Sequence, residues 1–210
     1  MRVGAVRKRP EQNLQLFEFE ACPFCRKVRE ALSILDLDAE IYPCPKNGPR
    51  FREEVKRRGG KALFPYLVDP NTGVEMYESD DIVAYLFAEY GDGEVPRALA
   101  LGPLTTITAM LSSAFRPGFG ASYRVSDPPE KLLELYSFES SPFCRIVRES
   151  LSSLELPYRL HNVAKGGAQR DELVERAGKM MVPYLADPNT GVGMYESAGI
   201  VRYLEETYER

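Results

Sequence analysis

The 210-residue chain lacks several features that would place it quickly. No apolar run approaches the roughly 20 residues needed to cross a bilayer, so no membrane partner is expected. Charge of one sign is scarce as well. Against 27 Lys and Arg stand 31 Asp and Glu, a net charge of −4, which is too mild and of the wrong sign for nucleic acid as the main partner. The N-terminal MRVGAVRKRPEQ is basic but has neither an apolar core nor a cleavage site. It is expected to be a solvated arm and not a secretory signal. Histidine occurs once, at His161, and cysteine four times, at Cys22, Cys25, Cys44 and Cys144. Four cysteines in a chain this long do not staple a secreted scaffold. A structural zinc wants four ligands, and the spread of these residues gives no such set, so no metal is expected. A Cys-x-x-Cys pair without a secretory signal suits a cytoplasmic, reducing compartment.

What the chain does have is a duplication. PFCRKVRE (23–30) returns as PFCRIVRE (142–149), and DPNTGVEMYES (69–79) returns as DPNTGVGMYES (187–197). The offset is 119 between Cys25 and Cys144 but 118 between Pro65 and Pro183, so one residue was lost on the way. Each copy spells one set of elements. LQLFEF (14–19) is strand-like. CPFCRKVREALSILDL places Phe24, Val28, Ala31, Leu32 and Leu35 at helical spacing, with Pro23 suited to a first turn. DAEIYPC (38–44) is a second strand, and PRFREEVKRRGG a charged surface helix stopped by glycines. FPYLVDPNTGVEMY is a hairpin, with Tyr66 and its twin Tyr184 in the hairpin core. SDDIVAYLFAEYG is a helix capped by Ser79, with acids in its first turn. The expected fold is α/β: two tandem β-α-β-α-β-β-α domains, 12–91 and 131–210. The linker, 92–130, holds one short helix in PLTTITAMLSSAF (103–115) and a Gly/Pro-rich connector.

Three features bear on chemistry. Cys22 stands immediately before a helix, where the dipole and unpaired N–H groups favour a thiolate and lower the pKa from about 8.5 toward 7 or below. Cys25 lies one turn on, within reach of a mixed disulfide formed at Cys22. Pro65 and Pro183 precede the hairpins; a trans turn and a cis-proline presenting backbone to an extended peptide both fit the sequence. Glu78-Ser79 and Glu196-Ser197 start the last helix of each copy. A serine cap suffices there, yet such a helix start also binds carboxylates.

CPFC at a helix start, FPY before a hairpin and YESDD at the last helix resemble the glutaredoxin-type, thioredoxin-like domain. The same fold forms the N-terminal domain of glutathione transferases. Two in tandem resemble the glutathione transferase class built from two such domains. The resemblance implies that glutathione is the cosubstrate, that Cys22 is the nucleophile and that Cys25 resolves. It further implies that Phe64 and Val182, with Pro65 and Pro183, pair with the cysteinyl part of glutathione. Glu78, Ser79 and Asp80 would hold its γ-glutamyl end, as Glu196 and Ser197 would in the second copy. There Ala198 and Gly199 replace Asp80 and Asp81, removing a partner for the ammonium. Lys46 and Lys165 would either meet the glycyl carboxylate or stay solvated.

In the second copy Ser141 replaces Cys22. Its hydroxyl is either a cap on a silent copy or a hydrogen-bond donor to the sulfur of bound glutathione, as in serine-type transferases. Cys144, one turn inside the helix, is expected to be buried and the least reactive choice. No all-helical domain of the kind that normally completes a transferase pocket is expected from these 210 residues. The sequence therefore favours glutathione-dependent thiol–disulfide exchange at Cys22, acting on small disulfides or glutathionylated proteins. Glutathione conjugation at Ser141 or Cys22 stands as the alternative, as does a non-catalytic glutathione-binding or iron–sulfur module. Cys44 reads as an incidental or exposed regulatory thiol, and His161, aligned with Tyr42, as a surface or strand-end residue without a partner.

Overall fold

A computed structural model of the protein describes residues 3, 4, 6–100 and 119–210; the expected linker helix at 103–115 lies outside them. The first copy runs β1 (Leu14–Glu18), α1 (Pro23–Ile34), β2 (Ala39–Pro43), α2 (Phe51–Gly59), β3 (Tyr66–Asp69), β4 (Val74–Met76) and α3 (Ser79–Tyr90). A single turn, α4 (Arg97–Ala100), follows. The second copy repeats the order as β5 (Leu133–Ser137), α5 (Pro142–Ser153), β6 (Tyr158–Asn162), α6 (Gln169–Ala177), β7 (Tyr184–Asp187), β8 (Val192–Tyr195) and α7 (Ser197–Tyr208). Gly60 and Gly178 end α2 and α6 at φ of 81° and 80°, the left-handed cap that glycine adopts without a Cβ clash. Gly48 and Gly167 are still 119 apart, but α2 and α6 begin 118 apart. The lost residue therefore belongs to the loop entering α6.

Within each copy the first two strands pair in parallel and the hairpin is antiparallel. The two sheets then join edge to edge. Strand β2 pairs antiparallel with β6, matching Ala39 to Leu160, Glu40 to Arg159 and Ile41 to Tyr158. The result is one eight-stranded sheet in the order β4-β3-β1-β2-β6-β5-β7-β8. Adding 119 to Glu40 gives Arg159, so the pseudo-two-fold passes through that pair. An identical residue there would face itself, and a charged one would repel its twin. Divergence of the copies has put opposite charges at this point, 3.5 Å apart.

The core is shared. Helices α1 and α3 cover one face of the sheet, α5 and α7 its continuation, and the apolar residues of both copies form one cluster from Leu14 to Tyr208. Smaller clusters lie on the opposite face under α2 and α6. They include Tyr66 and Tyr184, as expected for hairpin core. The repeated DPNTG has a physical use. Asp69 accepts hydrogen bonds from Tyr85 (2.6 Å), Tyr90 (2.5 Å) and Asn71, and Asp187 does the same with Tyr203, Tyr208 and Asn189. Each hairpin is thereby tied to the last helix of its copy.

Two polar devices cross between the copies. Neither Arg50 nor Ala168, at the cap positions of α2 and α6, offers a capping side chain. Glu155, beyond the end of α5, instead accepts from the backbone N–H of Arg50 (3.0 Å) and Phe51 (3.3 Å). Its equivalent Asp36 accepts from Ala168 N–H (3.2 Å). Each copy caps the other's helix. Gly48 and Gly167 make room, since a methyl group would come within 2.5 Å of Glu155 Oε1 or 2.2 Å of Asp36 Oδ1. The second device is a buried ion cluster of Arg29, Arg148, Glu18, Glu20 and Glu139. Arg29 pairs with Glu18, with Glu20 (2.9 Å) and with Glu139 (3.1 Å). Arg148 pairs with Glu20 (3.0 Å) and Glu139 (3.2 Å) and donates to Ser137 Oγ (3.1 Å).

Several expectations are corrected here. The N-terminal segment is not a solvated arm: Gly4 N–H donates to Ile34 O (2.7 Å), Arg7 N–H to Tyr90 O (2.8 Å) and Val3 N–H to Lys165 O (3.1 Å). His161 is neither at the surface nor without a partner. It is buried, stacks on Tyr136 at 4.3 Å and holds Asp38 of the first copy through Nδ1 at 2.9 Å. Cys44 is fully buried, not exposed, and burial pushes its thiol well above the ordinary range. Ser79 is the first residue of α3 and not its cap. The cap position belongs to Glu78, whose side chain makes no capping bond.

Glu155→Ala leaves two helix N–H groups without their acceptor and is expected to cost about 2 kcal/mol. Glu139→Ala strips a carboxylate from two buried guanidinium groups and is expected to cost about 3–5 kcal/mol. Urea unfolding of the full chain measures both, with a single transition because the core is common.

Candidate active site

Cys22 occupies the cap position of α1 with extended backbone, φ −78° and ψ 119°. Its sulfur accepts the N–H of Cys25 at 3.3 Å. The hydrogen bond from the Cys25 side chain lowers the Cys22 pKa most; burial opposes it, and the N–H groups of Cys25 and Phe24 add to it. Cys25 is the reverse case. It is fully buried one turn inside the helix, and burial, with the neighbouring Cys22, raises its thiol well above the ordinary range. The sequence predicts the sulfur poised to ionise at Cys22; that Cys25 is held as a thiol comes from its burial in the structure. The Cys22 sulfur is more enclosed than a cap position suggests, at only 5% exposure.

Phe64–Pro65 and Val182–Pro183 are both cis peptides, which settles the alternative left open by the sequence. The carbonyl of Phe64 lies 3.9 Å from Cys22 Sγ, so the loop before β3 and the start of α1 meet at the sulfur. Beside them a cavity of about 160 Å³ is lined by Phe24, Leu63, Phe64, Pro65, Glu78 and Ser79, with Tyr77. Phe24 and Leu63 form apolar lips, 47% and 50% exposed. Glu78, at φ 65°, turns the chain sharply into α3. Its side chain does not cap the helix, and the start of α3 borders the cavity through Glu78 and Ser79; an uncapped helix start suits a carboxylate.

The second copy builds the matching cavity, about 240 Å³, from Phe143, Met181, Val182, Pro183, Glu196 and Ser197. Glu196 repeats the left-handed turn at φ 71°. Ser141 caps α5 by accepting Cys144 N–H at 3.3 Å, and Cys144 is fully buried. Ser141 also borders a third cavity of about 180 Å³ between the copies, together with Glu20, Arg26, Glu139 and Arg145.

The structure brings Phe64, Pro65, Glu78 and Ser79 together beside Cys22, and Val182, Pro183, Glu196 and Ser197 beside Phe143. It does not bring Lys46 or Lys165 to either cavity. The backbone of Lys46 is engaged with the connector, its N–H donating to Ala121 O at 2.6 Å. Asp80 lies at the start of α3 and pairs with Lys27 of α1. Lys27 was not singled out in the sequence. Its signal is there nonetheless, because Ile146 replaces Lys27 in the second copy where Ala198 replaces Asp80. The pair is lost as a unit. Glu18 escaped notice in the same way; its counterpart is Ser137. Among the described residues no cluster of three His, Cys, Asp or Glu is placed to hold a metal, and no helix is long and apolar enough to cross a membrane.

Residues 16–94 and 135–210 both match the glutathione S-transferase N-terminal domain family. No curated protein matches the chain. Among solved structures, the Bombyx mori glutathione transferase BmGSTD1 is 27% identical over 40% of this chain and 39% of its own, with a TM-score of 0.37. Leishmania TDR1, a trimeric glutathione transferase, is 14% identical over 95% of this chain and 68% of its own, with a TM-score of 0.34. The chain thus spans about two fifths of the length of the Bombyx mori protein. The two matched stretches coincide with the two copies and make up most of the sequence, so the chain belongs to the glutathione S-transferase N-terminal domain family, which it carries twice in tandem.

Proposed function

We propose that the protein is a glutathione-dependent thiol–disulfide oxidoreductase of a reducing, cytoplasmic compartment, with Cys22 as nucleophile. The observation that carries this reading is the contrast at the start of α1. The Cys22 sulfur accepts hydrogen bonds and has a lowered pKa, while Cys25 stays a thiol one turn inside.

The Cys22 thiolate attacks the glutathionyl sulfur of a mixed disulfide. That S–S bond breaks, the substrate leaves as a thiolate that takes a proton from solvent, and a Cys22–glutathione disulfide forms. The thiolate of a second glutathione then attacks the glutathionyl sulfur, releasing oxidised glutathione and restoring the Cys22 thiolate. Glutathione supplies both electrons. For a protein disulfide, Cys25 can instead resolve the intermediate by attacking Cys22. The backbone of Phe64 suits the cysteinyl part of glutathione, and the open start of α3 at Glu78 and Ser79 suits its γ-glutamyl carboxylate. Asp80 keeps a largely exposed carboxylate beside Lys27 and suits the ammonium.

A second reading, glutathione conjugation at the second copy, rests on Ser141. Its oxygen accepts from Cys144 N–H, which leaves the O–H to donate to a glutathione thiolate at the same position.

Cys22→Ser is expected to lower glutathione-linked disulfide reduction by on the order of a thousandfold or more, with the circular dichroism unchanged. Activity that survives this change ends the oxidoreductase reading. Cys25→Ser should keep deglutathionylation and lose reduction of protein disulfides. Asp80→Ala is expected to raise the KM for glutathione about fivefold, as suits an exposed charge pair. Ser141→Ala should change only conjugation to an electrophile. Because the Cys22 pKa is lowered, release of thiol from a glutathionylated peptide in a single turnover should persist well below pH 8, and a profile centred on an ordinary thiol pKa of about 8.5 would contradict the assignment.

A further inference from the structure

The buried ion cluster does not balance. Arg29 and Arg148 supply two positive charges; Glu18, Glu20 and Glu139 supply three negative ones, and all five side chains are almost wholly buried. The imbalance comes from divergence of the copies. Arg29 and Arg148 correspond, as do Glu20 and Glu139, but Glu18 corresponds to Ser137. Arg26 and Arg145 line the cavity beside the cluster and pair with Glu30 and Glu149; Arg145 also bears on Glu20, whereas the arginines that bear most on Glu18 are Arg29 and Arg148. An uncompensated charge taken out of water is costly enough that the group holding it takes a proton instead.

Geometry singles out which carboxylate takes it. Glu20 and Glu139 each bridge both guanidinium groups, whereas among the described residues Glu18 pairs directly with Arg29 alone. Burial accordingly raises Glu18 to about 7, partly offset by Arg29 and reinforced by Glu20 and Glu139. Glu18 ends β1, four residues before Cys22, on the sheet face that α1 covers. Its ionised form raises the thiol pKa of Cys22, of Cys25 and of Cys44. The remaining groups facing it are Arg148 and Tyr158 of the second copy.

We propose that Glu18 is a positioning residue for Cys22: it carries the one proton that neutralises the cluster shared by the two copies, and it thereby governs how readily the Cys22 sulfur ionises. With Glu18 protonated the cluster is neutral and the thiolate forms easily. With Glu18 ionised its negative charge, at the end of the strand that leads into Cys22, opposes the thiolate. The two groups then lose their protons as a coupled pair, over a wider pH range than one group alone. The second copy takes part directly, because Glu139 and Arg148 set the balance that Glu18 must meet. The replacement of Glu18 by Ser137 accompanies that of Cys22 by Ser141, so the copy without the leading sulfur also lacks the acid. This inference rests on Cys22 as the reactive sulfur of the proposed function.

The test follows alkylation of Cys22 in the full chain by iodoacetamide from pH 5 to 9, with peptide mass spectrometry resolving Cys22 from the other thiols. The wild-type rate should climb over more than the roughly two pH units that a single ionisation spans. Glu18→Gln and Glu18→Ser, the latter reproducing the serine that Arg148 already accommodates in the second copy, should follow one ionisation with a lower midpoint and a higher rate near pH 8. Variants with native circular dichroism whose profiles superimpose on the wild type overturn the proposal. A wild-type profile that fits a single ionisation overturns it without any variant. Glutathione takes no part in this measurement, so failure of the oxidoreductase reading and failure of the Glu18 coupling register separately.

Discussion

Two guanidinium groups sealed between the halves of the molecule are the constraint that the rest of this structure answers to. Arg29 and Arg148 come from the first helix of each copy and are both nearly inaccessible to water. A buried arginine keeps its charge, so each must be met by carboxylates with good geometry. Neither copy meets its own arginine alone. Glu139 reaches across to Arg29, and Glu20 reaches across to Arg148. The helices that carry Cys22 and Ser141 are therefore fixed relative to each other by charge as well as by the apolar core.

The same reciprocity runs along the whole interface. The carboxylates of Asp36 and Glu155 cap helices of the opposite copy, strands β2 and β6 pair across the pseudo-axis, and His161 finds its partner in Asp38. This arrangement explains why the duplication is not two beads on a string. Each copy leaves a strand edge, a helix start and a buried charge incomplete, and the other supplies what is missing. It also gives the second copy a purpose that does not need catalysis of its own. With Ile146 for Lys27 and Ala198 for Asp80 it has lost the charge pair at the start of its last helix, while Glu139 and Glu155 serve its neighbour.

The elements of the fold were legible because their signals are local. Hydrophobic periodicity marked the helices, the DPNTG turn marked the hairpins, and Pro23 with Cys22 marked the start of α1. The lowered pKa of Cys22 was also readable, since unpaired N–H groups lie wherever such a helix begins; the raised pKa of Cys25 needed the packing around it. Errors fell where a residue's partner is remote in sequence, in the other copy or in the same one. His161 looked unpartnered because Asp38 is 123 residues away, and the N-terminal segment looked solvated because its acceptors, Tyr90 and Lys165, are remote in sequence. For Cys44 the sequence left an exposed regulatory thiol open beside an incidental one, because nothing near it in the chain shows that it packs with Val55, Tyr66 and Val68.

By itself the sequence determined that there are two thioredoxin-like units and that only the first keeps a sulfur at the head of its helix. These follow from short-range rules of backbone geometry and side-chain periodicity. Tertiary structure alone decided that the units share one sheet and one core, and that three carboxylates converge on two arginines. The reason is physical: whether a charge is compensated depends on what lies within a few ångströms of it, and the arginines that meet Glu20 and Glu139 come one from each copy.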